Sequence, residues 1–352
     1  MFLRYILLLA CAAYLATAYS ATTYTYKTVG DLKVELDVYL PSIAAPASGY
    51  PVFFTIHGGA YVEGSKQGSL TVQEGTEALN RGWAIVSIDY RMLPGVVLDD
   101  IVEDVQDAYK WVRTELVKTT PINPDLITVF GQSAGGGLAV ISGYKLSPRP
   151  QAVIGFFSGC TNWTDPHAYN PNTPVDPLLA AAANKLSVPV VTEYTPTHSS
   201  DPRVALWTAA AKSGKMGWLA VTHDPNASTD RIIAKLKDFS AVDNVDENYP
   251  PTYLAHGLID QVVPYSQSVE LANVLEQNNI PYVLDLVPGA NHGFDKDSIY
   301  WQQHILPAFD FAQKYMQSSG KKIPRKFLQN KFHFGDIIYN NNHHHKKLHN
   351  DK

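Results

Sequence analysis

The chain alternates short runs of β-branched and aromatic residues with longer segments whose apolar residues recur every three or four positions. The short runs are typical of buried strands, and the longer segments are typical of helices with one buried face. The predicted strands are, in chain order, KVELDVYL, PVFFTIH, WAIVSIDY, LITVF, AVIGFF, PTYLAHG and YVLDLV. The clearest predicted helix covers residues 98–117, where one apolar stripe is formed by Ile101, Val105, Ala108, Val112 and Leu116.

Strands that alternate with helices predict an α/β fold, with a mostly parallel central sheet and helices on both faces. Ligands of such sheets bind at the carboxyl ends of the strands. Residues 161–249 interrupt the alternation, because they are rich in Pro, Ala, Trp and Tyr without a clean strand pattern. We expect this interval to be a cap inserted over the site, within one catalytic domain at residues 19–320.

The two ends of the chain differ from this body. Residues 1–18 combine Arg4, an apolar run and the small residues Ala16, Thr17 and Ala18, which predicts a cleaved signal peptide and a secreted protein. The apolar run is shorter than the ~20 residues that a membrane span needs, so no stable membrane anchor is expected. Residues 321–352 are rich in His, Asn and Lys and are predicted to be a disordered basic tail. The sequence does not indicate the function of this tail.

Charge and cysteine content narrow the function classes. The net charge of the whole chain is −5, although the 321–352 tail carries eight basic and two acidic residues. The rest of the chain is therefore strongly acidic, and nucleic acid is not expected as its partner. Cys160 would be the only cysteine after signal cleavage, so no internal disulfide is expected. Asn162 and Asn226 begin N-glycosylation motifs, so a glycoprotein is expected. The oligomeric state is open.

The segment LITVFGQSAGGGLAVISGY contains the pattern Gly-x-Ser-x-Gly between a predicted strand and a predicted helix. This is the context of the nucleophile elbow of the α/β-hydrolase fold, in which the serine lies on a tight turn at the sheet edge. The glycines leave room for that turn. The pattern therefore predicts Ser133 as a nucleophile.

A second glycine-rich turn, His57-Gly58-Gly59-Ala60, follows the predicted strand PVFFTIH. Attack on an ester carbonyl produces an oxyanion that aligned backbone N–H groups stabilise. We expect these donors to be the amides of Gly58, Gly59 and Ala134, the last directly after the nucleophile. His57 is expected to anchor the loop.

The serine needs a base, and histidine suits this role near neutral pH. Of the twelve histidines, His292 in VPGANHGF follows a predicted strand and precedes a helix, whereas His256 is expected to make a structural hydrogen bond. Asp260 in HGLIDQVVP follows the preceding strand and is predicted to orient His292. The order Ser133, Asp260, His292 is the one expected for this fold. Asp285 is less suited because it lies within a predicted strand.

Together, HGGA, SIDYRMLP, GQSAGG, GLIDQVVP and GANHGF resemble the hormone-sensitive-lipase-like branch of the α/β-hydrolases, of the fold-3 type, over about residues 24–317. The resemblance implies a serine carboxylesterase for short- or medium-chain esters, with a small-molecule ester as substrate and neither a metal nor an organic cofactor. It also implies that Asp89 and Arg91 are structural supports. Ala60 and Gln132 depart from the family pattern beside the acyl site, which leaves the substrate preference open.

Two other functions remain open from the sequence. A serine peptidase or amidase of the same fold would use the same three residues, because acyl transfer from an amide needs the same groups. A non-catalytic binding protein could also have retained the fold.

Overall fold

The computed structural model describes residues 18–191 and 201–317. All but the last residue of the predicted signal peptide and the whole predicted tail lie outside these residues. One eight-stranded sheet forms the centre, with spatial order β1-β2-β4-β3-β5-β6-β7-β8. The strands are β1 (Thr22–Val29), β2 (Leu32–Tyr39), β3 (Tyr50–Ile56), β4 (Ala84–Ile88), β5 (Ile122–Gln132), β6 (Ala152–Phe156), β7 (Thr252–Gly257) and β8 (Tyr282–Val287).

The sheet is mostly parallel, as predicted. Only β2 runs against its neighbours β1 and β4, and every other pair from β4 to β8 is parallel. The helices between successive strands are the crossovers that parallel pairing requires. The predicted fold class is confirmed.

The α-helices within the described residues are α1 (Val72–Asn80), α2 (Leu98–Thr114), α3 (Ala134–Lys145), α4 (Pro177–Leu186), α5 (Pro202–Lys212), α6 (Met216–Val221), α7 (Thr229–Phe239), α8 (Ala241–Asn244), α9 (Ser266–Gln277) and α10 (Leu306–Met316). A five-residue π-helix, Trp301–Ile305, leads directly into α10. No helix in the described ranges is long and apolar enough to cross a membrane.

Both faces of the sheet are covered by helices because successive side chains of a strand point to opposite sides. In β3, Val52, Phe54 and Ile56 join the larger core with α2, α3 and α9. Phe53, between them, joins the smaller core with α1 and α10. The five residues of the predicted stripe, from Ile101 to Leu116, lie in the larger core and are each at most 3% exposed. The helix itself is shorter than the predicted 98–117, because α2 ends at Thr114 and Leu116 begins a short 3-10 helix, Leu116–Lys118.

The sequence patterns missed the first strand. β1 has the sequence TTYTYKTV and lies at one edge of the sheet, where most of its residues are partly or fully exposed. It turns into β2 through Gly30, whose φ of 60° suits the tight hairpin. The alternation of threonine and tyrosine was the available signal, but no continuous apolar run marked the strand as buried.

Between β6 and β7 the described chain forms five helices, α4 to α8, in the interval predicted to be a cap. This interval contacts the loops at the carboxyl ends of the strands. The ring of Trp207 lies 5.8 Å from that of Tyr61, and the N–H of Met92 donates to the carbonyl of Val190. The boundaries 161–249 and the role as a cap remain predictions.

Candidate active site

Ser133 lies at the joint between β5 and α3, with φ 55° and ψ −123°. Such a backbone is rare for a residue with a side chain, costs about 1–3 kcal/mol and is characteristic of functional sites. The turn is possible because the residues two positions before and after Ser133 lack side chains: a methyl group on Gly131 would overlap the carbonyl oxygen of Gly135, and one on Gly135 would overlap that of Ile56. The sequence thus places the serine hydroxyl at the carboxyl edge of the sheet.

The three residues predicted as nucleophile, base and acid lie together. Nε2 of His292 is 2.9 Å from Oγ of Ser133, and Nδ1 of His292 is 2.8 Å from Oδ2 of Asp260. Asp260 follows β7 and His292 follows β8, so adjacent parallel strands deliver both side chains to one edge. The side-chain oxygen of Asn291 ties the two loops together by accepting from the backbone N–H groups of Gln261 and His292.

The ionisation state of Asp260 determines which nitrogen of His292 carries a proton. The Asp260 side chain is fully buried. Burial alone would raise the pKa of its carboxyl, but the hydrogen bonds from His256 and His292 outweigh burial and hold that pKa well below its usual value. An ionised carboxylate only accepts, so Nδ1 of His292 must carry the proton and Nε2 is free to accept from the serine hydroxyl.

The predicted oxyanion loop lies against the nucleophile. A β-carbon placed on Gly58 would be 3.2 Å from Cβ of Ser133. Two residues that follow Gly59 in the same loop, Ala60 and Tyr61, adopt positive φ angles of 54° and 62°. The Ala134 amide begins α3, and the first N–H groups of a helix have no partner within it. The backbone thus brings Gly58 and Ala134, two of the three predicted donor residues, beside Ser133, and Gly59 follows in the same loop.

His57 supports this loop from behind. Its ring stacks on Tyr90 at 4.2 Å, and Nδ1 lies 2.7 Å from the carbonyl oxygen of Gly58. Burial lowers the pKa of His57 to about 4, so the ring is neutral at physiological pH. The Tyr90 hydroxyl donates to the carbonyl of His57. These contacts agree with the predicted anchoring role.

Asp89 and Arg91, implied to be supports by the family resemblance, lie in buried ion pairs. The Asp89 carboxylate accepts from the backbone N–H and the ammonium of Lys66, at 2.7 and 2.9 Å. Arg91 pairs through Nε and Nη2 with Asp104 of α2, at 2.8 Å each. These ion pairs hold the segment after β4 against Lys66 on one side and against α2 on the other.

Asp285, which the sequence made less suited than Asp260, and Asp297, which follows His292 in the chain, both have other partners. Asp285 lies 3.0 Å from Nδ1 of His304 and accepts from the hydroxyl of Tyr253 at 3.2 Å. Asp297 caps the short helix Ser298–Tyr300 by accepting from the N–H of Ile299. Asp295 is buried, and burial raises the pKa of its carboxyl.

Two features of the site were not predicted. His256, fully buried, lies 3.2 Å from the same Asp260 oxygen that His292 contacts. Glu63, in the oxyanion loop, is half-buried, and burial together with the nearby charge of Asp201 raises its pKa to about 7. The four-residue spacing between His256 and Asp260 was a signal for their contact. The raised pKa of Glu63 had no signal in the sequence, because it depends on tertiary burial and on the charge of Asp201.

One group of three potential metal ligands occurs within the described residues: Glu103, Asp104 and Asp107. Nζ of Lys27 lies 2.7 to 2.9 Å from a carboxylate oxygen of each of them. The group is therefore an ion-paired cluster of α2 with β1.

Comparisons with known proteins agree with this architecture. The chain is 25% identical over 339 residues to the non-reducing polyketide synthase stbA of Stachybotrys bisbyi, covering 84% of this chain but 15% of that protein. It thus spans about a seventh of that relative's length.

Solved structures share the fold. Thermogutta terrifontis esterase 2 matches in a butyrate-bound form (TM-score 0.58, 20% identity, 86% of this chain and 96% of that one). It also matches in a form phosphonylated by sarin (TM-score 0.58, 19% identity, 89% and 97%). A truncated carbohydrate esterase from gut microbiota matches with a TM-score of 0.56 and 22% identity, over 85% and 98% of the two chains.

The family model BD-FAE matches residues 36–275, about two thirds of the chain. That range contains the oxyanion loop, Ser133 and Asp260, and ends before His292. The expected α/β-hydrolase superfamily is confirmed, and the chain belongs to the BD-FAE family.

Proposed function

We propose that this protein is a serine carboxylesterase that hydrolyses short- or medium-chain carboxylic esters through an acyl-enzyme on Ser133. The observation that carries the proposal is the continuous hydrogen-bonded chain from Oγ of Ser133 through His292 to Asp260, with heavy-atom distances of 2.9 and 2.8 Å. These are the distances that activation of a serine by a neighbouring base requires.

In the first half-reaction, the serine hydroxyl passes its proton to Nε2 of His292 while Oγ attacks the ester carbonyl. The carbonyl oxygen becomes an oxyanion, which the amides of Gly58, Gly59 and Ala134 stabilise, each typically by ~3 kcal/mol. His292 then donates its proton to the leaving alcohol, and the acyl group remains on Ser133.

In the second half-reaction, a water molecule replaces the alcohol. His292 removes a proton from the water as its oxygen attacks the acyl carbonyl, and collapse of the intermediate returns the proton to Ser133 and releases the acid. Asp260 stays ionised throughout, since its pKa lies well below neutral pH, and it stabilises the imidazolium that forms twice per turnover.

The solved relatives support this substrate class. Thermogutta terrifontis esterase 2 is described with butyrate bound, which is a short-chain acyl product, and the gut microbial protein is described as a carbohydrate esterase. The sarin adduct of esterase 2 supports a reactive nucleophile in this fold. No metal or organic cofactor takes part in the proposed steps.

We also propose that the protein is secreted, without a stable membrane anchor. The support is the sequence of residues 1–18, with its basic residue, apolar run and small residues before the expected cleavage point. N-terminal sequencing of protein from the culture medium of an expressing eukaryotic cell tests this. A mature chain starting near residue 19 is expected, and full-length protein retained in the membrane fraction would contradict it.

The activity is tested by assaying purified protein on nitrophenyl acetate and butyrate beside a panel of peptide nitroanilides, and by labelling with a fluorophosphonate probe. Ester hydrolysis and labelling of Ser133 are expected. Ser133→Ala should remove labelling and lower ester turnover by several orders of magnitude, with an unchanged thermal midpoint, because the hydroxyl supplies the reacting atom. Faster cleavage of the peptides would favour a peptidase, and absence of both labelling and turnover would favour a binding protein.

A further inference from the structure

The Asp260 carboxylate accepts three hydrogen bonds and faces a fourth donor, Nε2 of His256. Oδ1 accepts from the backbone N–H groups of Val262 and Val263, at 2.8 and 2.9 Å. Oδ2 accepts from His292 at 2.8 Å and faces Nε2 of His256 at 3.2 Å. The proposed mechanism uses only the contact with His292, so the contact with His256 has no role in it.

The surroundings of His256 determine which of its nitrogens carries a proton. Nε2 faces two acceptors, the carbonyl oxygen of Val263 at 3.0 Å and Oδ2 of Asp260. Nδ1 lies 2.7 Å from Oγ of Ser268, which can donate. A neutral ring satisfies all three partners only with the proton on Nε2 and the lone pair on Nδ1. The two acceptors at Nε2 therefore select the tautomer in which His256 donates toward Asp260, and Ser268 satisfies Nδ1 by donating to it.

We propose that His256 is a positioning residue for the general base, acting through Asp260. This rests on the proposed serine esterase function and deepens it. The N–H of His256 bonds to the carbonyl oxygen of Val263 and also faces Oδ2 at 3.2 Å. The positive end of this N–H attracts Oδ2 and holds it where it accepts from Nδ1 of His292. Four side chains then form one relay: His256, Asp260, His292 and Ser133.

The physical effect is orientation inside a buried site. The side chains of His256 and Asp260 are both fully buried, so no water replaces a missing donor. Without the His256 donor, one lone pair of Oδ2 is unsatisfied, and the carboxylate gains by turning away from the geometry that His292 needs. A misplacement of about 1 Å in a catalytic group can cost about a hundredfold in rate.

Two amide variants separate positioning from packing. In His256→Gln, the amide nitrogen reaches the place of Nε2 and can still donate to Asp260. In His256→Asn, the shorter amide reaches only the place of Nδ1, near Ser268, and no longer reaches Asp260. Ser268→Ala is the control for general destabilisation, because Val263 and Asp260 still require the proton on Nε2.

The readouts are kcat and KM for nitrophenyl butyrate, together with the thermal midpoint of each variant. His256→Asn should lose about tenfold to a hundredfold in kcat with KM within about twofold, since the residue acts on the base and does not touch substrate. His256→Gln should recover most of the loss, and Ser268→Ala should lower the midpoint with little change in kcat. Equal kcat in the two amide variants, or a loss confined to KM, would overturn the proposal.

A measurement on the parent protein covers the case in which the variants do not fold. ¹⁵N NMR of histidine-labelled protein reports which ring nitrogen of His256 carries the proton. A proton on Nε2 is expected, and one on Nδ1 would overturn the inference. A parent protein that neither hydrolyses esters nor reacts with fluorophosphonate would instead refute the proposed function, while the tautomer would still report on this contact.

Discussion

Replacing Asp260 with asparagine tests whether the carboxylate selects the tautomer of His292. The backbone N–H groups of Val262 and Val263 both donate to Oδ1, so the amide oxygen of the asparagine must take that place. Its NH2 group then takes the place of Oδ2, 2.8 Å from Nδ1 of His292. Two donors would meet there, and the histidine relieves the conflict only by moving its proton from Nδ1 to Nε2.

The altered tautomer directly affects the nucleophile. A proton on Nε2 faces Oγ of Ser133 at 2.9 Å, so the histidine can no longer accept the serine proton. The comparable change in a serine protease lowers turnover by about 10⁴-fold. Converted at about 1.4 kcal/mol per tenfold, the loss corresponds to about 5 kcal/mol of transition-state stabilisation. The fold should persist, because the two side chains have the same size.

The assay is the rate of nitrophenyl acetate hydrolysis by Asp260→Asn protein, with circular dichroism to show that it is folded. Asp285→Asn is the matched control. Asp285 pairs with His304 and Tyr253 rather than with the triad, so turnover should stay within about tenfold of the parent. A folded Asp260→Asn protein with near-parent turnover, or a collapse of activity in the Asp285→Asn control, would refute this assignment of the acid.

Three further predictions concern pH, glycosylation and the tail. The folded-state pKa of Glu63 is raised to about 7 from its usual 4.5, so the unfolded chain binds fewer protons between these values and stability falls as pH rises through that window. Glu63→Gln should therefore have a higher thermal midpoint than the parent at pH 8 and an equal one near pH 4; a lower midpoint at pH 8 would count against this. Peptide mass spectrometry of secreted protein should find a glycan on the exposed Asn226 and none on Asn162, whose amide donates to Glu270, and full occupancy of Asn162 alone would contradict it. Deleting residues 321–352 should leave turnover on a soluble ester within about threefold, since all three triad residues precede them, and a collapse would show that the tail shapes the site.

Much of the fold could be predicted from local patterns. Seven of the eight described strands were recognisable: β3 to β8 because buried parallel strands are nearly continuous apolar runs, and β2 because its apolar and polar residues alternate. The elbow was recognisable because a serine between two glycines follows β5. The candidate triad was predictable for a related reason. Parallel strands end at one edge of the sheet, so residues that follow β5, β7 and β8 are brought together even when far apart in sequence.

Other features depend on the path of the loops, which no periodicity reports. The edge strand β1 was missed because its exposed face carries no apolar run. The sequence placed Asp285 in a strand, but only the structure shows its partner, His304 of the π-helix. The pKa of Glu63 depends on burial and on Asp201, more than 100 residues away in the chain.

Asp260 shows most clearly which features of the site follow from the sequence and which follow only from the tertiary structure. The sequence by itself determined that Asp260 follows β7 and that His292 follows β8, because strand patterns and chain order are local properties. Only the tertiary structure decided that His256 and His292 share one oxygen of that carboxylate. Hydrogen bonds act over about 3 Å and depend on direction, so their partners are set by the packed positions of side chains and not by spacing along the chain.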